Sequence, residues 1–136
     1  MQPIEVDGGG DFDQSRDLPL LSSEGEAFLF RKMNYLKYRA EQARLQYLDS
    51  DLPQDLADFR AFQGDAEAVR NHIAECNVRL VISIARRFSN SSADFDELMS
   101  EGNEIMLKAI SKFDVFRGFR FSTYATHSVQ RHFYRY

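Results

Sequence analysis

Between Val115 and Tyr136 the chain places seven Phe or Tyr side chains in 22 residues, against 13% aromatic residues overall. Arg117, Arg120, Arg131 and Arg135 lie among them, and Asp114 is the last acidic residue. Rings interleaved with guanidinium groups can stack on bases and neutralise phosphates, the chemistry of a surface that grips single-stranded nucleic acid. An aromatic-rich core helix with a solvated arginine edge has the same composition, because periodic aromatics commonly face a core. Composition alone leaves both readings open.

Catalytic chemistry is poorly served. The histidines are His72, His127 and His132. His127 and His132 are five residues apart, which turns them about 140° from one another on a helix and makes a poor metal pair. Asp94, Asp96, Glu97, Glu101 and Glu104 cluster in one segment, yet no Glu-x-x-His partner exists for a di-metal site. A solvated acidic helix face, or one offered to a partner, accounts for them. No Ser/His/Asp or Cys/His arrangement is apparent. The expectation is a binding protein without enzymatic activity, cofactor or metal.

The chain has 136 residues, 28% charged and 43% apolar, which suits one globular domain with a modest core. No apolar run approaches the ~20 residues that span a bilayer, and the N-terminus carries no secretory pattern. A cytoplasmic location without membrane contact is therefore expected. Cys76, the lone cysteine, can form neither an internal disulfide nor a cysteine metal site, and it falls at a helical, buried position. A net charge of −4 argues against tight independent DNA binding, which rests on phosphate neutralisation. The charge is uneven, however. Residues 1–17 hold five acids and one base, whereas the last 22 hold four arginines and no acid. A weakly acidic protein can thus still offer one anion-binding face.

The elements that must position these groups read as helices throughout. Residues 1–17 are acidic and Gly-containing, and are expected to be a disordered tail. Residues 18–136 are expected to form one helical domain: a leading helix in 18–48, a connector over 49–64 and a core over 65–136. Ser23 and Glu26 suggest a capping box, Leu20 or Leu21 a hydrophobic staple, and Phe28, Leu29, Met33, Leu36 and Ala40 an apolar face, predicting a helix from Glu24 to Leu48. The connector holds Pro53 and a short helical segment from Leu56 to Phe62 that ends near Gly64. Asp65 then caps a long run to Phe88, with Val69, Ile73, Cys76, Leu80 and Ile84 in its stripe. Asp94 and Glu97 form a capping pair that opens the next helix, which carries Leu98, Met106, Ala109 and Ile110. "VFRGFR" is a turn hinged at Gly118, and Ser122 or Thr123 starts the last helix. No alternating strand pattern appears, so the fold class is all-α, a bundle of four to five helices.

On that last helix, Tyr124, His127, Ser128, Arg131 and Arg135 share one face, while Ala125, Val129, Phe133 and Tyr136 share a more apolar one. The helix should pack through the second set and present Tyr124 and the arginines outward.

The ordered series "CNVRLVISIARRF", then "DELMSEGNEIMLKAISKFDVFRGFRFSTYAT", resembles the central conserved domain of bacterial RNA polymerase sigma factors of the sigma-70 family. The similarity spans about Arg70 to Thr126, and "LLSSEGEAFLFRKM" more loosely resembles the helix preceding that domain. The resemblance implies a helical sigma-factor fold and a role in transcription initiation. It implies that the helix beginning "DFDELMSEGN" docks on the clamp coiled coil of the largest polymerase subunit, with Asp96, Glu97, Ser100, Glu101, Asn103 and Leu107 at contact positions. It further implies that the aromatic segment holds the non-template strand of the −10 promoter element. Phe113, Asp114, Arg117, Thr123 and Tyr124 would line a pocket for a flipped adenine, Phe119 and Phe121 would supply neighbouring rings, and Arg120 would steady phosphates. An anti-sigma protein is a further candidate partner.

Three departures from the family pattern bear on this. His127 and Ser128 stand where housekeeping members typically have two tryptophans, and the chain has no Trp. Arg131 stands where a base-reading Gln is common, and Arg favours guanine over adenine. Ser100 replaces a frequent Gln. Weaker melting or an altered upstream base preference is expected. The chain also ends within its last DNA-binding helix, so it is expected to bind polymerase and single-stranded −10 DNA without directing full promoter recognition. The alternatives are a helical polymerase-binding regulator or decoy that does not open promoters, and a single-strand-binding protein unrelated to transcription.

Overall fold

The computed structural model describes residues 21–134, and among them every regular element is helical. Five α-helices, α1 (Ser23–Ser50), α2 (Pro53–Cys76), α3 (Val78–Phe88), α4 (Ser92–Lys112) and α5 (Phe121–Tyr134), are joined by short turns, with a 3₁₀ turn at Val115–Arg117. The expected tail over residues 1–17, Leu20, Arg135 and Tyr136 lie outside the described residues.

The N-cap of α1 is Ser22, whose extended backbone lets its hydroxyl accept from the Gly25 N–H at 3.1 Å. The cap therefore sits one residue before the expected Ser23, and Glu26 takes no part in a local capping box. Asp51, left-handed at φ 56°, ends the helix by donating its N–H to the Tyr47 carbonyl. Pro53 then opens α2, where its missing N–H costs nothing. A hairpin of long helices results, joined by two residues.

Of the expected 49–64 connector only Asp51 and Leu52 lie between helices; residues 53–64, including the short 56–62 segment, belong to one unbroken helix running through Gly64 and Asp65. A glycine inside a helix costs only about 1 kcal/mol. The burial of Ala66, Val69 and Ile73 opposite α1 outweighs it. The long run to Phe88 is broken instead at Asn77. Its own N–H turns back to Ala74, which would leave the Ile73 carbonyl without its helical donor; the buried Asn77 side chain fills that role at 2.8 Å. Breaking here lets α3 leave the α2 direction and pack on α4 and α5.

Two apolar clusters result. One, holding Phe30, Ile73, Val81, Met106 and Phe121, joins α1 and α2 to the rest, and the other gathers Ile84, Leu98, Val129 and Phe133. Ala125, Val129 and Phe133 are buried as the helical spacing predicts. Cys76 is buried as well, and that burial pushes its thiol up from the ordinary range.

Gly102 on α4 is a close-packing point. A Cβ there would lie 2.5 Å from Val81 Cγ1 and 3.4 Å from Phe133 Cζ. Gly102→Ala is expected to destabilise the fold by about 1–3 kcal/mol through overpacking. The check is a lower urea midpoint with an unchanged m-value.

Candidate nucleic-acid interface

The turn entering α5 is assembled from local and distant parts. Asp114 Oδ1 accepts from the Phe116 N–H at 3.0 Å, and Gly118, at φ 86°, closes the turn. α5 begins at Phe121, ahead of the expected Ser122 or Thr123, and its first amides are capped from α1. Glu26 Oε1 accepts from the Phe121 N–H at 3.1 Å, and Oε2 accepts from the Ser122 N–H at 3.4 Å. A carboxylate at a helix N-terminus both fills orphan donors and complements the helix dipole. The same carboxylate receives Arg120 Nε at 2.9 Å and Nη2 at 3.1 Å, and Nη2 also donates to the Leu21 carbonyl at 2.6 Å. This bonding raises the guanidinium further above its ordinary value.

Arg120 is consequently turned onto Glu26, with 42% of its side chain left exposed on the side from which a phosphate would have to approach. No local signal in the sequence marks this pair, since its members are 94 residues apart.

The aromatic side chains form a graded series from core to surface. Phe30 and Phe121 are fully buried, with ring centroids 5.0 Å apart. Phe113 and Tyr124 are half-buried at 5.7 Å from one another, and Phe113 also touches Phe121 at 5.3 Å and Phe119 at 5.9 Å. Phe119 is 49% and Phe116 is 77% exposed. The expectation that Phe121 offers its ring outward is therefore corrected. Two reasons act together: its position one helical turn before Ala125 aims it at the core, and Glu26 fixes the start of that turn. Phe116, by contrast, is an exposed ring that sequence reasoning did not single out.

Along α5, Thr123, His127, Arg131 and Tyr134 form the outward row, at steps of four, four and three. His127, Gln130, Arg131 and Tyr134 border an open groove of about 500 Å³. Tyr124 does not share this row but leans on Phe113. Ser128 is half-buried, and its hydroxyl donates to the Tyr124 carbonyl at 3.0 Å, so it is spent on its own helix. Asp114 and Arg117 are exposed and lie 3.8 Å apart.

α4 presents Asp96, Glu97, Ser100 and Asn103 outward. Its N-cap is Ser91, which accepts from the Asp94 N–H at 3.1 Å, so Asp94 serves at the third helical position where a cap had been expected. Glu101 departs from the outward set: it turns toward α5, where His132 Nε2 stands 3.5 Å from its carboxylate. Leu107 is half-buried against the first apolar cluster. Among the described residues, no three His, Cys, Asp or Glu side chains are grouped to hold a metal ion, and no helix is long and apolar enough to cross a membrane.

Residues 73–136, the stretch carrying these sites apart from Leu21, Glu26 and Phe30 on or just before α1, match the family Sigma-70 region 2. Over 133 residues the chain is 37% identical to a protein named RNA polymerase sigma factor SigA from Listeria monocytogenes, covering 90% of this chain and 35% of that one. The chain belongs to the sigma-70 family. A SigA of Clostridium acetobutylicum is 39% identical over 130 residues, with 93% of this chain and 33% of its own length covered. A SigA from a Bacillus species is 46% identical over 89 residues. The chain spans about a third of the length of the first two relatives. In sigma-70 terms, α1 and most of α2 precede region 2, so Glu26 braces region 2 from outside it.

Proposed function

We propose that this chain acts in transcription initiation as the part of a sigma factor that docks on core RNA polymerase through α4 and holds melted promoter DNA on the face around Phe119 and Tyr124. In this reading it has no catalytic step. Asp96, Glu97, Ser100 and Asn103 offer a polar, carboxylate-bearing surface to basic residues of the polymerase clamp coiled coil, where charge complementarity sets orientation. Phe119 and Tyr124 stack on bases of the non-template −10 strand, while Asp114, Arg117 and Thr123 surround the edge of a flipped adenine beside Phe113. His127 and Arg131 continue the path along α5.

The observation that carries this reading is the aromatic series itself. Rings anchored in the core hand over to rings at the surface, in a stretch without one carboxylate between Val115 and Tyr134. Stacking is worth about 1–3 kcal/mol per base and is not weakened by sequence variation in the strand.

Phe119→Ala is expected to weaken binding of a fluorescein-labelled single-stranded TATAAT oligonucleotide to the chain bound to core polymerase by roughly fivefold or more. Its thermal midpoint should hardly move, because the ring is half in solvent. Unchanged anisotropy titrations would rule the strand-holding role out. Polymerase association without oligonucleotide capture would instead favour a regulator that docks without opening promoters, and sequence-blind binding without polymerase would favour a general single-strand binder.

A further inference from the structure

We infer that Phe116, backed by Arg31, is a second stacking platform for single-stranded DNA, lying at the seam between α1 and the 3₁₀ turn. The inference rests on the strand-holding reading above and extends its path.

Phe116 is 77% exposed, and the core neither covers its ring nor needs it. Its placement is nonetheless fixed. Asp114 holds the Phe116 amide, the Arg117 N–H donates to the Asp114 carbonyl at 3.2 Å, and Gly118 supplies the left-handed corner that closes the turn. A mobile loop would lose entropy on ordering such a ring, whereas a ring already held outward avoids most of that cost. The guanidinium of Arg31 stands 5.8 Å from the ring centroid, a cation–π geometry that adds a positive charge beside an open aromatic face.

The setting suits a strand better than a protein surface. Arg31 and Arg117 are both exposed here. Asp114 is the acidic group of the turn, spent on capping and on a 3.8 Å contact with Arg117 that solvent weakens. Phe28, 63% exposed, lies one turn before Arg31 on the same side of α1 and lengthens the aromatic–basic patch. Phe116 and Phe119 are three residues apart, so at most about 11 Å of extended chain separates them. One strand can touch both.

The test compares the hexamer oligonucleotide with versions extended by four nucleotides on either side, each titrated against the chain bound to core polymerase. One extension should bind at least about fivefold tighter than the hexamer. Phe116→Ala should abolish that gain, Phe116→Tyr should keep it, and Arg31→Ala should reduce it, all with hexamer affinity and thermal midpoint unchanged. A gain that survives Phe116→Ala, or no gain from either extension while the hexamer binds, overturns the platform and leaves the strand-holding reading intact. Failure of the hexamer itself to bind overturns both. In a second measurement, Phe116→p-benzoylphenylalanine should photo-crosslink to the extended oligonucleotide. Crosslinking to a polymerase subunit or to a second copy of the chain overturns the proposal in favour of a protein contact there.

Discussion

Phe121→Ala should cost about 3–5 kcal/mol of folding stability, the range for emptying a buried phenylalanine site. The ring is inaccessible to solvent and lies 5.0 Å from Phe30, 5.3 Å from Phe113 and 6.5 Å from Tyr124. Its removal opens a void where α1, α4 and α5 meet, and no neighbouring element can move in without uncoupling Glu26 from the start of α5. A loss of this size is a large share of the 5–15 kcal/mol that separates most folded domains from their unfolded chains. Urea unfolding measures it directly, and Phe121→Leu, which refills most of the volume, should recover more than half. A cost below about 1 kcal/mol would mean that the ring spends its time outside the core, where a base could reach it. Paired with Phe119→Ala, the experiment separates two neighbouring phenylalanines: one should change stability, the other affinity.

The second large effect is expected at Glu26. Its carboxylate is 5% exposed and serves four donors, two on Arg120 and the amides of Phe121 and Ser122. Losing a helix cap costs about 0.5–2 kcal/mol, and hydrogen bonds to a charged group contribute about 1.5–3. Breaking a fully buried ion pair would cost more, but the Arg120 side chain is 42% exposed and can rehydrate. Glu26→Ala should therefore lose about 2–3 kcal/mol, and Glu26→Gln somewhat less, because an amide oxygen can still accept one N–H. Arg120→Ala should be milder than either, since the carboxylate would keep its two amide partners.

Hydrogen exchange gives the sharper readout for Glu26. The amides of Phe121, Ser122 and Thr123 should exchange markedly faster in Glu26→Ala, while those in the middle of α2 keep their protection. Uniform loss of protection would mean that Glu26 acts only as a general prop, without a specific hold on α5. In the proposed function that hold has a consequence: the first turn of α5 carries Thr123 and Tyr124, so strand binding should weaken along with it.

Gly102 shows how packing can act inside a motif that marks a family. "EGN" marks the family by resemblance, and its flanking Glu101 and Asn103 invite a purely functional reading. Asn103 does face outward, whereas a methyl group at Gly102 would come within 2.5 Å of Val81 Cγ1 and touch Phe133, so Val81 would have to shift. Glu101 likewise turns to His132 on α5 instead of joining Asp96 and Glu97 at the surface.

What the amino-acid sequence determined by itself is whatever repeats at helical spacing. The apolar rows Val69–Ile73–Cys76 and Ala125–Val129–Phe133 are buried as their spacing requires, and the all-α class follows from such rows without any knowledge of contacts. The acid-free aromatic end is equally plain from composition. Only the tertiary structure decided which helices run on and which break, because Gly64 and Asn77 differ locally by amounts that burial against α1 and a single side-chain hydrogen bond can override. It alone separated Phe121 from Phe119 and drew Arg120 onto a carboxylate 94 residues away. Local spacing records which way a side chain points along its own helix. It carries no record of what another helix brings to meet it, and at the start of α5 that meeting sets which rings a strand can reach.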